Sequence, residues 1–174
     1  MSKVLTPELI SRLKKDFALN WKGIHGAPHW SRVRLNGLKL AQQTGADPVV
    51  VELFAFLHDS QRESDFKDPE HGLRAALYIQ KLLGKEIQIS DKQAQQLIFA
   101  CEHHTYPAST DDQTILTCWD ADKLDLGRVG ITLDLQKLHT PPARDSLFIA
   151  SCQKRIMATV ALEYEISPAR VVRI

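Results

Sequence analysis

Cysteine is scarce in this chain of 174 residues. Three thiols, Cys101, Cys118 and Cys152, lie far apart, and none belongs to a Cys-x-x-Cys pair. An odd, scattered set argues against a disulfide framework and suits a reducing cytoplasm, the expected location. A long apolar run is also missing. The best, Val49 to Leu57, is interrupted by Glu52 and is far too short to span a bilayer, so no membrane association is expected. The opening Met1-Ser-Lys-Val-Leu-Thr-Pro-Glu lacks the apolar segment of a signal peptide. Nor does either sign of charge dominate: 22 Lys and Arg face 21 Asp and Glu, for a net charge of +1 with histidines neutral. That balance provides no strong field for a nucleic acid duplex or an anionic membrane, although Arg32 and Arg34 could together hold a phosphate. There is no internal repeat, low-complexity tract or long linker. With 44% apolar and 25% charged residues, the composition is that of an ordinary globular protein, and the length fits one domain over 1–174.

The hydrophobic periodicity is helical almost throughout, which predicts an all-α domain of six or seven helices. Thr6-Pro7 pairs a capping hydroxyl with a first-turn proline, and Leu9, Ile10, Leu13 and Phe17 then form one apolar stripe. A second helix should start near Pro28 and end by Gly45. Asp47-Pro48 repeats the cap signal and opens the most apolar segment, which reads as a buried central helix rather than a strand. Asp68-Pro69 gives the signal a third time, for a helix running to about residue 83. Ser90 should cap a fifth helix through about residue 104, and a sixth should span about 114–126. The proline pair after His139-Thr140 predicts a loop, and a long last helix is expected over about 144–165.

The histidines carry the chemistry. Six of the seven fall in an ordered series with acidic residues: His25-Gly-Ala-Pro-His29, His58-Asp59, Glu70-His71-Gly72, His103-His104 and then Asp120-Ala-Asp122. Imidazoles and carboxylates are what a divalent metal site needs. Asp59 ends a buried helix, where an ionised carboxylate is costly unless a cation meets it. His29 begins one helix and Asp122 lies in another, so three segments can converge on one ion with two nitrogens and two oxygens. Such a set suits Mn, Fe, Co, Ni or Zn, with Mg also admitted. Four protein ligands leave positions open for water or a phosphate oxygen, as in catalytic rather than structural sites. The competing reading is a set of buried hydrogen bonds without metal.

These residues resemble the signature of the HD-domain metal-dependent phosphohydrolase superfamily. His25-Gly-Ala-Pro-His29-Trp-Ser-Arg-Val33 is similar to its opening motif, and Asp120-Ala-Asp122-Lys-Leu-Asp125 to its closing one. The resemblance covers about residues 20–130. It implies an HD-domain helical bundle, with His29, His58, Asp59 and Asp122 as ligands of one divalent metal. His71, and His103 with His104 ahead of Tyr106-Pro107, partly resemble the HD-GYP phosphodiesterase branch. The Asp-Gly-x-Gly run of that branch is absent, so a second metal is admitted but not expected. His25, His71, His103 and His104 are the additional candidates for it.

The resemblance also implies a small phosphorylated substrate, with nucleotides the favoured class, and a metal-activated water as nucleophile. Asp59 would ligate and orient that water. Arg62, Lys123 and Arg32 are the candidate cations for the phosphoryl group, and His103 or His104 the candidate acid for the leaving oxygen. One departure bears on the substrate. Superfamily members that hydrolyse alarmones carry an acidic pair shortly after His-Asp, whereas this chain has Arg62 there. Two alternatives stand beside the hydrolase: an HD-type di-iron oxygenase, and a module that binds metal and nucleotide without turnover. Asp120 and Asp125 read as supporting or surface groups, His139 as structural, Trp30 and Trp119 as core. The oligomeric state and the role of the tail from Arg170 to Ile174 are open at this level.

Overall fold

The computed structural model describes residues 4–166, with side chains through 158. Seven α-helices follow in order: α1 (Pro7–Asp16), α2 (Ala27–Thr44), α3 (Pro48–Leu57), α4 (His71–Leu82), α5 (Asp91–Glu102), α6 (Gln113–Lys123) and α7 (Ser146–Ile166). Among the described residues there is no β-sheet, only an isolated bridge between Leu83 and Ile87. The all-α bundle expected from the periodicity is the fold observed.

The helix starts are encoded locally. The Thr6 hydroxyl accepts from the Leu9 N–H, the Asp47 carboxylate from Val49, and the Asp112 carboxylate from Thr114 and Ile115. Ser90 and Gln93 form a reciprocal capping box ahead of α5. Each cap satisfies N–H groups that the helix cannot.

Three places differ from expectation, and in one of them α6 ends at Lys123 rather than near 126, where a separate 3-10 turn begins. Asp68-Pro69 does not open α4, because the Asp68 carboxylate accepts from Arg74 Nη2 and from the Glu63 N–H instead. The helix starts at His71. The proline pair at 141–142 is not loop but the start of a short 3-10 helix, Pro141–Arg144. Proline costs nothing at the first helical positions, where its missing N–H would have no partner. The Asp145 side chain then accepts from the Phe148 N–H, which sets the start of α7.

The central element is α3. Its Val50, Val51, Leu53, Phe54, Ala55 and Leu57 are all buried, as a helix apolar on most sides must be, and it packs against α2, α5 and α6. The close approach at α2 depends on Gly37, where an added Cβ would lie 2.5 Å from Val51 Cγ1 and 3.3 Å from Ala121 Cβ. Helix α4 packs on α5, and α7 lies across α2. A second, smaller apolar cluster of Leu40, Leu124, Leu138, Ala143 and Cys152 seats α7 and the 3-10 helix before it. Among the described residues no helix is long and apolar enough to cross a membrane. The tail from Arg170 to Ile174 lies outside the described residues.

Candidate metal centre

The polar residues of the series meet where several helices start or end. His29 sits in the first turn of α2 and Asp122 in the last turn of α6. His58 and Asp59 follow directly on α3, His71 is the first residue of α4, and His104 comes just after α5. Helix termini serve this purpose because each side chain can be aimed inward while its backbone still connects to a packed helix.

The first donor set comprises His29, His58, Asp59 and Asp122. His29 Nε2 lies 3.1 Å from His58 Nε2, 3.4 Å from Asp122 Oδ1 and 3.6 Å from Asp59 Oδ2. His58 Nε2 lies 3.6 Å from Asp122 Oδ1 and 3.7 Å from Asp59 Oδ2. Around an ion with bonds of ~2.1 Å, neighbouring donors are spaced ~3.0 Å on an octahedral edge and ~3.4 Å on a tetrahedral one. The observed spacings are of that size. His29 and His58 are fully buried, Asp59 nearly so, and the Asp122 side chain is 16% exposed, which places the open side at Asp122.

The second set shares Asp59. Its other oxygen, Oδ1, lies 3.2 Å from His71 Nε2 and 3.5 Å from His104 Nε2, and those two nitrogens are 2.8 Å apart. His58, His104 and Asp122 also group within metal-binding range, so the two sets are contiguous. The chain thus carries two His/Asp clusters able to coordinate a divalent metal.

The outward faces of the rings explain why a cation fits. His58 Nδ1 donates to the Phe54 carbonyl at 3.1 Å, His104 Nδ1 to the Cys101 carbonyl at 2.7 Å, and His71 Nδ1 to the Asp68 carbonyl. His29 Nδ1 donates to Asp125 Oδ2 at 2.8 Å. Carbonyls and carboxylates only accept, so each Nδ1 carries the hydrogen and each Nε2 of a neutral ring offers a lone pair. Lone pairs facing across 3.1 and 2.8 Å repel unless a metal cation or a shared proton stands between them. The Thr105 hydroxyl, 3.2 Å from His71 Nε2, relieves part of this at the second set only.

The carboxylates are ionised donors. Burial would raise the Asp59 pKa, but the imidazoles of His58, His104 and His71 outweigh it and hold the group well below the usual carboxylate range. Asp122 is held down in the same way against its burial by His29 and His58. Behind His29, Asp125 is buried yet held below its ordinary value by hydrogen bonds from His29 and from Arg32. Arg32 approaches it with Nε at 2.8 Å and Nη2 at 3.0 Å, a two-pronged contact.

Not every residue of the series reaches the clusters. His103 does not: it ends α5, and its ring packs on Phe99 with centroids 4.6 Å apart. The residue that turns inward is His104. His25 is buried beside the site but gives Nδ1 to Asp65 Oδ1 at 2.8 Å and belongs to neither donor set. Arg62 donates Nε to Asp59 Oδ1 at 3.0 Å, and its Nη1 binds the carbonyls of Ser64 and Phe66. Lys123 turns towards the 138–143 segment and donates Nζ to His139 Nε2 at 2.9 Å; burial lowers its pKa. That segment is pinned by Asp120, which accepts from the N–H groups of His139 and Thr140 and from the Thr140 hydroxyl. Trp119 is core, its Nε1 bonded to the Ala100 carbonyl.

Three further residues contribute, of which the sequence marked only Asp125, as a supporting or surface group. Asp125 orients His29 from the far side of its ring. Phe54 stacks under His58 with centroids 4.9 Å apart and a 17° interplanar angle. Arg128 brings Nη2 to 4.0 Å from Asp59 Oδ2. The Asp125-x-x-Arg128 spacing hints at an ion pair, but only the fold places both beside His29 and Asp59.

Comparison with known proteins agrees with this architecture. The chain superposes on the crystal structure of a predicted HD superfamily hydrolase from an uncultured Thermotogales bacterium with a TM-score of 0.64. The identity is 21% over 91% of this chain and 90% of that one, a likeness that establishes a shared fold. No family model matches the chain. No curated protein matches it.

Proposed function

We propose that this protein is a cytoplasmic metal-dependent phosphohydrolase acting on a small phosphorylated metabolite, with nucleotides as the favoured class. The observation that carries the proposal is the facing pair His29 Nε2 and His58 Nε2, 3.1 Å apart, beside two ionised carboxylates. We assign His29, His58, Asp59 and Asp122 as the ligands of one divalent metal. A divalent ion held by these four residues would supply Lewis acidity and lower the pKa of a water from ~16 towards ~7.

The chain's own residues do the rest. Asp125 keeps the His29 hydrogen on Nδ1 and so leaves Nε2 free to ligate. Asp59 holds its Oδ2 towards the first donor set while Arg62 restrains its Oδ1. The exposed edge of Asp122 leaves an approach for substrate. Lys123 and Arg62 lie close to ligands in sequence, and both reach the phosphoryl group only by giving up or sharing their present contacts. We assign the leaving-group acid to His104 or His103. His104 faces the clusters, whereas the His103 ring packs on Phe99 and would have to turn to reach them.

The test is phosphate release from a panel of nucleotides and sugar phosphates, with Mn, Co, Ni, Mg and Zn in turn. Turnover that Asp59→Ala abolishes supports the reading. Turnover that survives in Asp59→Ala refutes it.

A second reading rests on the shared Asp59. A carboxylate with one oxygen in each donor set is suited to bridging two ions, which keeps an HD-type di-iron oxygenase in view. Two irons per chain, with oxygen uptake and no phosphate release, would favour it.

A further inference from the structure

Arg128 lies on the 3-10 turn Leu126–Val129 that follows α6, and its guanidinium is held from behind. Nε donates to the Ile24 carbonyl at 2.8 Å, and Nη1 to the Asp125 carbonyl at 3.3 Å. Both acceptors are uncharged, so they fix the plane of the group without neutralising it. The nearest carboxylate oxygens are Asp125 Oδ2, 3.8 Å from Nε, and Asp59 Oδ2, 4.0 Å from Nη2. Neither is at hydrogen-bond distance. The Asp125 carboxylate is in any case committed to His29 and Arg32.

Nη2 is therefore a charged donor with no hydrogen-bond partner, near the Asp59 oxygen that belongs to the first donor set. The side chain is 7% exposed, and Nη2 is not among the fully enclosed polar atoms without a hydrogen-bond partner. On the other side of Asp59, Arg62 is arranged in a similar way, with Nε on Oδ1 and Nη1 on two backbone carbonyls. Two immobilised guanidinium groups thus bracket the one carboxylate common to both donor sets.

We infer that Arg128 is a catalytic residue that contacts the substrate phosphoryl group, donating Nη2 to a non-bridging oxygen bound against His29, His58, Asp59 and Asp122. The inference rests on the hydrolase reading for its substrate class. A guanidinium presents its hydrogens in a fork that matches phosphate oxygens, and one already fixed in place needs no reorganisation when charge develops. The competing role is structural, a tie between the segment before α2 and the segment after α6.

The experiment is calorimetric titration of inorganic phosphate into the Mn-loaded protein, with Mn content and melting temperature measured alongside. Arg128→Ala should keep the Mn content of the wild type and bind phosphate about 10- to 100-fold more weakly, the effect of one charge-assisted hydrogen bond. Unchanged phosphate affinity in the variant, or no phosphate binding by the Mn-loaded wild type, overturns the contact. Should Arg128→Ala not fold, Arg128→Lys carries the same test with the same two outcomes. The two proposals fail separately. Phosphate binding that depends on Arg128 without turnover of any phosphorylated compound sinks the hydrolase and leaves the contact. Turnover with wild-type KM and wild-type phosphate inhibition in Arg128→Ala does the reverse.

Discussion

His29 Nδ1 donates a hydrogen bond to Asp125 Oδ2 at 2.8 Å, and the same carboxylate is gripped by Arg32. This relay connects residues 96 positions apart and decides which nitrogen of His29 faces the donor set. Asp125→Asn can offer an amide hydrogen in place of an acceptor oxygen, which favours the tautomer with hydrogen on Nε2. Metal affinity should fall about 10- to 100-fold, the usual cost of losing such a partner. Metal titration checks this. Unchanged affinity in a folded variant would show that the relay does not set the tautomer.

Metal should couple to stability. An ion that binds only the folded chain adds about 2.7 kcal/mol at a concentration 100 times its dissociation constant. Chelator should lower the melting temperature, and Mn or Zn should restore it. Asp59→Ala, which removes the donor shared by both sets, should make the melt insensitive to metal.

Gly72 sets the distance between α4 and the end of α5. A Cβ there would stand 2.7 Å from the Cys101 carbonyl oxygen and 2.8 Å from that of Glu102. These are backbone atoms at the helix terminus that leads into His104, so they cannot simply swing away. Gly72→Ala should cost about 1–3 kcal/mol, as overpacking does, and loosen the His71–His104 pair. Denaturant melts measure the first effect. Histidine side-chain NMR measures the second, and wild-type shifts for both rings would refute it.

Away from the site, Tyr78 donates its hydroxyl to Asp16 Oδ2 at 2.8 Å, and Arg12 Nε meets the same oxygen at 2.6 Å. Burial, with the bond to Asp16, raises the Tyr78 pKa to about 12. Asp16 moves the other way: burial would raise its pKa, but the bonds from Tyr78 and Arg12 outweigh it and lower it. The Tyr78 contribution to stability should be whole below about pH 10, the unfolded value, and disappear as pH rises through 12. The Asp16 contribution should be present above about pH 4 and disappear as pH falls through its lower folded value. Tyrosinate absorbance against pH, with Tyr78→Phe as the reference, should show one late-titrating tyrosine lost in the variant.

Much of the helical order was legible because its determinants are local. Thr6, Asp47, Ser90 and Gly45 act on N–H and C=O groups a few residues away, so their signals survive in one dimension. Asp68 misled for the same reason inverted. As a one-dimensional signal it looks like a cap, but Arg74, six residues on, takes its carboxylate. The proline pair at 141–142 was ambiguous because proline both ends helices and begins them.

The series of histidines and acids, and the chemistry that such donors admit, belongs to the sequence alone. Residue type determines which atoms can hold a divalent ion, and an apolar segment ending in His58-Asp59 determines that some of them are buried. The tertiary structure decided the rest. It chose His104 over its neighbour His103, because the turn after α5 sends one ring towards Asp59 and the other onto Phe99. It divided the oxygens of Asp59 between two donor sets, and it brought Asp125 and Arg128 to residues far away in the chain. Adjacent positions at a helix end differ in direction by about 100° for a period of 3.6 residues. Which of two histidines faces inward is therefore a property of how the helices pack, and a list of residues does not contain it.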